Sequence, residues 1–164
     1  MLRRTARVPP ASVPVGAPAP DTEAELEQRM AEPTPGVLDA LRDVPGDLVV
    51  LGAAGKMGPT LARMARRAFD LLGRRDRVIA VSRFSSEDTR QRLRAAHVET
   101  VACDLADPAA VAALPDAPNV VFMAGQKFGT TGAPGTTWMM NTVVPAYAAA
   151  RYAGSRIVAF STGN

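Results

Sequence analysis

Five short apolar runs, each but the last followed by a helical pattern, constrain the fold of this chain of 164 residues more than any other feature. Continuous apolar strands are typical of parallel sheets, because helices cover both faces of such a sheet. The regular alternation predicts an α/β fold with a doubly wound parallel sheet of about five strands. The predicted strands are residues 47–52, 77–82, 98–103, 119–125 and 156–161, and the predicted helices between them are residues 58–72, 85–96, 108–114 and 137–153.

The first long helix and the last strand carry specific expectations about burial. The spacing of apolar residues in the helix predicts one buried face. The last run, RIVAFS, predicts a buried strand, and the sequence then ends at Asn164 with no helix after it. We therefore expect a sheet that is truncated after its fifth strand. The predicted face of the helix consists of Leu61, Met64, Ala65, Ala68 and Leu72.

The first 46 residues differ in composition from the rest of the chain. Residues 1–20 hold three arginines and no acid, and their proline and alanine content predicts a disordered arm. A basic targeting segment is the alternative, although the arm lacks the apolar run of a secretion signal. Residues 21–46 predict a short helical lead-in with acidic residues near its start. The remaining residues, 47–164, are expected to form one incomplete domain.

The bulk composition argues against several classes of protein. No apolar run reaches the ~20 residues that a membrane span requires. The single cysteine, Cys103, excludes an intramolecular disulfide, and no Cys/His cluster offers a metal site. Residues 51–100 hold eleven basic and five acidic residues without interleaved aromatic residues, which favours solvated helix faces over a nucleic-acid surface. The cytoplasm is the default compartment, and His97 is expected at a helix end rather than in catalysis.

The loop GAAGKMG, residues 52–58, connects the first strand to the first long helix. Its Gly55-Lys56 pair is similar to the end of a P-loop. A P-loop also requires an earlier glycine and a hydroxyl residue directly after the lysine. Val50 and Met57 stand at those two positions, so the sequence disfavours a nucleoside triphosphate site.

The spacing of the three glycines fits a dinucleotide better. Gly52 can form the tight turn, Gly55 admits close approach of a pyrophosphate, and Gly58 permits close packing of helix on strand. The positive helix N-terminus would then face the phosphates, with Lys56 and Met57 in the same loop. A plain tight turn is the alternative. In its strand–loop–helix setting the motif predicts a Rossmann-type, NAD(P)-binding domain.

The end of the second strand distinguishes NADP from NAD. An acidic residue there would accept hydrogen bonds from the ribose hydroxyls of NAD. The chain has Ser82-Arg83 instead, and its first acid after them is Glu87. A guanidinium group can bind a 2′-phosphate in bidentate geometry, and Ser82 and Lys56 add a hydroxyl and a charge. The sequence therefore favours NADP over NAD, with a solvent-facing Arg83 as the alternative.

From Asp47 to Asn164 the sequence resembles the extended short-chain dehydrogenase/reductase superfamily, specifically its NAD-dependent epimerase/dehydratase group. Lys56-Met57 is also similar to the glycine loop of dihydrodipicolinate reductases, but that family does not explain the later positions. The resemblance to the epimerase/dehydratase group rests on the glycine loop, Asp104-Leu105, Ala124-Gly125, Asn141 and Phe160-Ser161-Thr162.

The resemblance implies a cofactor-binding role for two of these pairs. Asp104 and Leu105 would contact the adenine, and the cofactor would pass over Ala124 and Gly125. The alternative for Asp104 is the N-cap of the following short helix, although Asp107 is better placed for that cap.

The resemblance also implies catalytic roles. Thr162, or Ser161 beside it, would hydrogen-bond the substrate oxygen, and Asn141 would order the active-site helix. The alternative for Asn141 is a buried amide that the backbone satisfies. The family's Tyr-x-x-x-Lys pair is absent, since Tyr147 and Tyr152 are followed four residues later by arginines and precede the fifth strand.

These inferences combine into one functional expectation with an alternative. The chain is interpreted as the cofactor-binding portion of an NAD(P)-dependent oxidoreductase, epimerase or dehydratase. Its small-molecule substrate would carry a carbinol or carbonyl group, with a nucleotide sugar as one candidate. A homodimer remains open for a longer parent protein, and the 164 residues alone should bind cofactor weakly and catalyse little. The alternative is a non-catalytic, NADP-binding redox-sensor module.

Overall fold

Five strands form the centre of the part of the chain described by the computed structural model, residues 18–126 and 133–160. They are β1 (Leu48–Leu51), β2 (Val78–Ser82), β3 (Glu99–Ala102), β4 (Asn119–Phe122) and β5 (Arg156–Ala159). All pair in parallel, in the order β3-β2-β1-β4-β5. The predicted Rossmann-type sheet is confirmed.

The helices alternate with these strands as the apolar pattern predicts. After β1 comes α3, after β2 comes α4, and a short α5 follows β3. The lead-in contains two further helices, α1 and α2, before β1. Their bounds are α1 (Glu23–Met30), α2 (Pro35–Arg42), α3 (Gly58–Leu71), α4 (Glu87–Ala95), α5 (Pro108–Ala112), α6 (Pro134–Trp138), a π-helical segment (Met139–Val143) and α7 (Val144–Arg151).

The last helical stretch differs from the single helix predicted over residues 137–153. It begins at Pro134 and contains the π-helical segment between α6 and α7. Pro145 follows that segment closely and has no N–H group to donate to the carbonyl four residues before it. Extra residues inserted in a helical turn are the form that such an interruption commonly takes.

Two apolar clusters cover the two faces of the sheet. Alternate residues of one strand enter different clusters, because successive side chains of a strand point to opposite faces. Val49 and Leu51 lie in the cluster that includes Val144 and Tyr152, whereas Val50 lies with residues of α3 and α4. The burial of both faces explains why β1 is continuously apolar in sequence.

The buried face of α3 is rotated relative to the predicted one. Ala65 and Ala68 are buried as expected, but Leu61, Met64 and Leu72 are only half-buried. The largest buried side chain of the helix is Phe69, which is 1% exposed. Burial of this ring and of the small residues Ala62 and Ala65 brings a different stripe of the helix against the sheet.

The strand β5 corrects a second expectation about burial. It was predicted to be buried, yet all four of its residues are exposed in the described structure. Ile157 is 39% and Val158 is 60% exposed. The strand lies at the edge of the sheet, beside β4. The described residues therefore leave the apolar side chains of β5 uncovered.

The lead-in helices pack against α3 through arginine side chains. Arg74 donates to the carbonyl oxygens of Leu41 at 2.8 Å and Gly46 at 3.1 Å, and it lies 3.9 Å from the centroid of the Phe69 ring. Glu27 of α1 pairs with Arg63 of α3 at 3.3 Å. No helix in residues 18–126 or 133–160 is long and apolar enough to cross a bilayer. The predicted domain boundaries stay predictions.

Candidate functional site

The carboxyl ends of the central strands meet on one side of the sheet. Leu51 pairs with Val81 of β2 and with Phe122 of β4, so β1, β2 and β4 end at nearly the same level. The strand order changes direction between β1 and β4, since β2 and β3 lie on one side and β5 on the other. Open α/β sheets bind ligands in the crevice at such a switch point.

The glycine loop follows β1 directly into this crevice. Gly52 has φ +87°, and its N–H donates to the Val81 carbonyl at 2.9 Å. A Cβ at Gly52 would lie 2.6 Å from the Ala124 nitrogen, and one at Gly58 would lie 2.3 Å from the Ala53 oxygen. Both distances are shorter than any carbon side chain tolerates. The tight turn and the close helix packing predicted from the sequence both need glycine here.

The N-terminus of α3 leaves backbone donors available at this loop. The N-cap residue, Met57, makes no side-chain capping hydrogen bond. Among the described residues, the N–H groups of Ala54, Lys56 and Met57 have no hydrogen-bond acceptor. Unsatisfied amides at the positive end of a 14-residue helix form a suitable site for an anion.

A cavity of about 250 Å³ opens beside this loop. Eight of the predicted cofactor-binding residues line it, whereas Lys56, Met57 and Gly58 do not. Six further lining residues were not predicted, although each lies next to or near a predicted one. The predicted lining residues are Gly52, Gly55, Ser82, Arg83, Asp104, Leu105, Ala124 and Gly125, and the additional ones are Ala54, Phe84, Ser85, Cys103, Met123 and Met140.

The end of β2 supplies a positive charge to the cavity. Arg83 is exposed and, in the described part of the chain, forms no ion pair. Ser82, the last residue of β2, is half-buried beside it. Phe84, the next residue after Arg83, has φ +49°. An unpaired guanidinium at a cavity rim can bind an anionic group.

The sequence left open whether Asp104 caps the helix after β3, and the structure shows which residue does so. Asp107 caps α5, since its Oδ1 accepts from the N–H groups of Ala109 at 2.9 Å and Ala110 at 3.3 Å. The Asp104 carboxylate accepts from the N–H of Ala106 at 3.0 Å, and the residue lies exposed at the cavity. The helix-cap alternative for Asp104 is therefore wrong. Its contact with an adenine stays a prediction.

The only cysteine lies at the same place, directly before Asp104. Burial, together with the neighbouring carboxylates of Asp104 and Asp107, raises the pKa of the Cys103 thiol. A protonated thiol is a poor nucleophile. Cys103 therefore serves this site as an apolar wall.

Asn141 holds the chain segment that leaves β4. Its Oδ1 accepts from the Gln126 N–H at 2.9 Å, and its Nδ2 donates to the Gln126 carbonyl at 2.7 Å. A Cβ at Gly125 would lie 3.4 Å from the same Oδ1. The amide satisfied by backbone, one of the two alternatives, is thus what the structure shows. A role of Asn141 toward a substrate stays a prediction.

Neither tyrosine lines the cavity beside the glycine loop. Tyr147 packs against the apolar cluster beneath β1 and β4. Tyr152 is 2% exposed and donates its hydroxyl to the Pro115 carbonyl at 3.0 Å, in the loop that precedes β4. That loop lies at the opposite end of the sheet from the glycine loop. Neither tyrosine is placed to act as the acid/base. Ser161 and Thr162 lie outside the described residues.

Comparisons with known proteins agree with this architecture. The family model for the NAD dependent epimerase/dehydratase family matches residues 48–164. No curated protein matches the sequence. The crystal structure of the Bordetella bronchiseptica enzyme WbmF in complex with NAD+ and UDP is similar in fold, with a TM-score of 0.54 and 17% sequence identity. The match covers 70% of this chain and 35% of that chain, so this chain spans about a third of that enzyme. Because the family model covers most of its length, the chain belongs to the NAD-dependent epimerase/dehydratase family.

Proposed function

We propose that this chain binds a nicotinamide dinucleotide in the cavity at the switch point, as the cofactor-binding portion of an oxidoreductase, epimerase or dehydratase. The observation that carries the proposal is the convergence of four separate segments on one cavity: the glycine loop, the end of β2, the residues after β3 and the residues after β4. Each has a side chain or backbone suited to one part of a dinucleotide.

The pyrophosphate would bind at the N-terminus of α3. The available amides of Ala54, Lys56 and Met57 provide donors, and the exposed Gly55 adds no side chain between them. The exposed Lys56 adds charge at the rim. Asp104 and Leu105 would contact the adenine, and the dinucleotide would pass over Ala124 and Gly125 toward the start of the π-helical segment.

We further propose a preference for NADP over NAD. The family's description and the NAD+ in the WbmF complex favour NAD. In this chain, however, the position after β2 that would carry an acid in an NAD site carries Arg83, which has no ion-pair partner among the described residues. An acid would repel a 2′-phosphate, whereas a guanidinium attracts it.

The reacting end of the site would lie near Asn141. When bound, the nicotinamide would supply or accept the hydride at the substrate carbon. Asn141 would hold the Gln126 peptide and so define the wall beside the substrate. A hydroxyl from Thr162 or Ser161 would polarise the substrate oxygen by hydrogen bonding. Because no described tyrosine lines the cavity, we expect the 164-residue chain to bind the dinucleotide and to catalyse little.

Dinucleotide binding is tested by titrating the folded chain with NADPH and with NADH. Nicotinamide fluorescence or calorimetry measures the binding. Gly58→Ala should abolish measurable binding, because its Cβ would lie 2.3 Å from the Ala53 oxygen and would displace α3. Gly154→Ala is the matched control, since its Cβ would meet nothing within 4 Å. Failure of the folded wild type to bind either dinucleotide would refute the proposal.

The substrate class needs a separate measurement. The WbmF complex contains UDP, and on that basis we propose a nucleotide sugar as the first substrate class to test. UDP should bind more tightly to the chain saturated with dinucleotide than to the free chain if the two sites adjoin. Equal, negligible binding in both cases would exclude UDP-linked substrates for this chain.

The exposed apolar residues of β5 favour one alternative function. Val158 and Phe160, two positions apart, and Ile157, on the opposite face of the strand, are exposed in the described structure, and a protein-binding module would require such uncovered apolar side chains. A non-catalytic redox-sensor module would bind NADP without turnover and change its association with a protein partner. Turnover of a carbinol or carbonyl substrate by the protein would exclude this alternative.

A further inference from the structure

Phe84 has a backbone conformation that its residue type disfavours. Its φ is +49°, in the left-handed region, where a bulky residue other than glycine is uncommon. In residues 18–126 and 133–160 the other non-glycine residue of this kind is His97, which is explained by its position at the end of α4. Phe84 has no such explanation, because it precedes the N-cap of α4, Ser86. Strained residues of this type cluster at ligand sites.

The ring of Phe84 shows what maintains this conformation. Phe84 is 9% exposed and belongs to the apolar cluster that includes Val78 and Leu93. The guanidinium of Arg90 lies 5.9 Å from the centroid of the ring. Burial of the ring and this cation–π contact offset the cost of the left-handed backbone.

The residues on both sides of Phe84 face the cavity. Arg83, Phe84 and Ser85 all line it, but Arg83 and Ser85 are exposed, whereas Phe84 is buried. At this left-handed residue the chain leaves the direction of β2, with the ring in the core cluster and both polar neighbours at the cavity.

We propose that Phe84 is a positioning residue for cofactor choice: its left-handed conformation holds the guanidinium of Arg83 at the cavity, where it binds the 2′-phosphate of NADP. This inference rests on the proposed function of the cavity. It adds that the preference depends on two residues, the arginine and the left-handed residue that follows it.

Leucine and isoleucine at position 84 form a matched pair for the test. Both remove the same volume from the core, but only isoleucine is branched at Cβ and strongly resists a positive φ. We expect Phe84→Leu to keep the ratio of the NADP and NAD dissociation constants. Phe84→Ile should raise the Kd for NADP about tenfold and leave that for NAD nearly unchanged, as expected for loss of one charge-assisted contact. If the isoleucine variant does not fold, Phe84→Val repeats the comparison with a smaller branched residue.

A double-mutant cycle with Arg83→Ala identifies the residue through which Phe84 acts. In the Arg83→Ala background the Leu and Ile variants should bind NADP with the same Kd. Adenosine 2′,5′-bisphosphate and 5′-AMP serve as probes that lack nicotinamide and should show the same pattern. A general loss of packing would weaken both cofactors in both backgrounds.

The outcomes separate this inference from the proposed function. If wild type binds neither dinucleotide, the proposed function fails. If wild type binds both but the Leu and Ile variants have the same ratio of dissociation constants, or if the difference persists without Arg83, the inference about Phe84 fails and dinucleotide binding stands.

Discussion

Two residues with the same backbone conformation close two helices in the same way. After α3, the N–H of Gly73 donates to Asp70 at 3.0 Å and that of Arg74 to Phe69 at 2.8 Å. After α4, the N–H of His97 donates to Arg94 at 2.9 Å and that of Val98 to Leu93 at 3.0 Å. This is the Schellman motif, which places a left-handed residue after the C-cap. Gly73 has φ +65° and His97 has φ +58°.

Exchanging the residue type at these two positions should change stability in opposite directions. His97→Gly should raise the free energy of unfolding by about 0.5–1 kcal/mol, because glycine adopts positive φ without strain. Gly73→Ala should lower it by about 1 kcal/mol, purely through the backbone, since nothing lies within 4 Å of the added Cβ. Urea unfolding measures both changes. A stabilising Gly73→Ala would contradict this account.

At the scale of single residues, the sequence predicts roles that depend on neighbours in the chain and misses those that depend on tertiary packing. It was predictable that Asp107 is better placed than Asp104 to cap α5, because an N-cap depends on residues three positions apart. The left-handed Phe84 was not predictable, since a ring buried against distant residues maintains it. The buried face of α3 was misjudged for the same reason: the neighbours of Phe69 are set by packing.

At the scale of elements, the π-helical segment has a cause in the sequence, the proline that follows it, and it also makes a contact at the candidate site. Asn141 lies within it and makes both hydrogen bonds to the Gln126 backbone. Strands and helices were predicted well because apolar runs and helical periodicity extend over many residues. An inserted π turn leaves no such pattern. The exposure of β5 also could not be predicted, because it depends on what covers the strand.

Replacing Asn141 tests whether the π-helical segment holds the residues after β4. In Asn141→Asp the carboxylate keeps the bond from the Gln126 N–H, but its other oxygen faces the Gln126 carbonyl without a proton to donate. We expect the free energy of unfolding to fall by about 1–3 kcal/mol at pH 7. Thr142→Ala, an exposed change in the same segment, is the control and should have little effect. Equal stability of both variants would argue against a holding role.

At the scale of the whole molecule, the lead-in is joined to the sheet domain by buried contacts. Arg74 joins the ends of α2 and of the following loop to Phe69, and Ala31 is fully buried. The assembly of the site was predictable at this scale, since parallel strands bring the ends of β1, β2 and β4 together. The packing of residues 21–46 onto α3 was not, because charge pairs between separate segments leave no pattern in one sequence.

Removal of residues 1–46 should therefore destabilise the rest of the chain. Loss of the two Arg74 hydrogen bonds and of the Arg63–Glu27 pair predicts a decrease of about 3 kcal/mol in the free energy of unfolding, or about 10 °C in Tm. Differential scanning calorimetry measures it. Removal of residues 1–17 alone is the control, because their composition predicts an arm without a stabilising role. An unchanged Tm after the longer deletion would mean that the lead-in is an independent unit.

The stability of the molecule should fall in alkali through Tyr152. Burial raises the pKa of its hydroxyl above the ordinary value of 10.0. The native state then holds this proton at a pH where the unfolded state releases it. The stabilisation contributed by the protonated hydroxyl is therefore complete below pH ~10 and is lost as the pH rises through the folded-state pKa.

Tyr152→Phe should be less stable by about 1 kcal/mol at pH 7, since it lacks the bond to Pro115. Its unfolding free energy should approach that of the wild type above pH ~10, because only the wild type loses this proton on unfolding. Urea unfolding at pH 7, 9 and 10.5 measures the difference. A constant difference across that range would show that the Tyr152 hydroxyl titrates alike in the folded and unfolded chains.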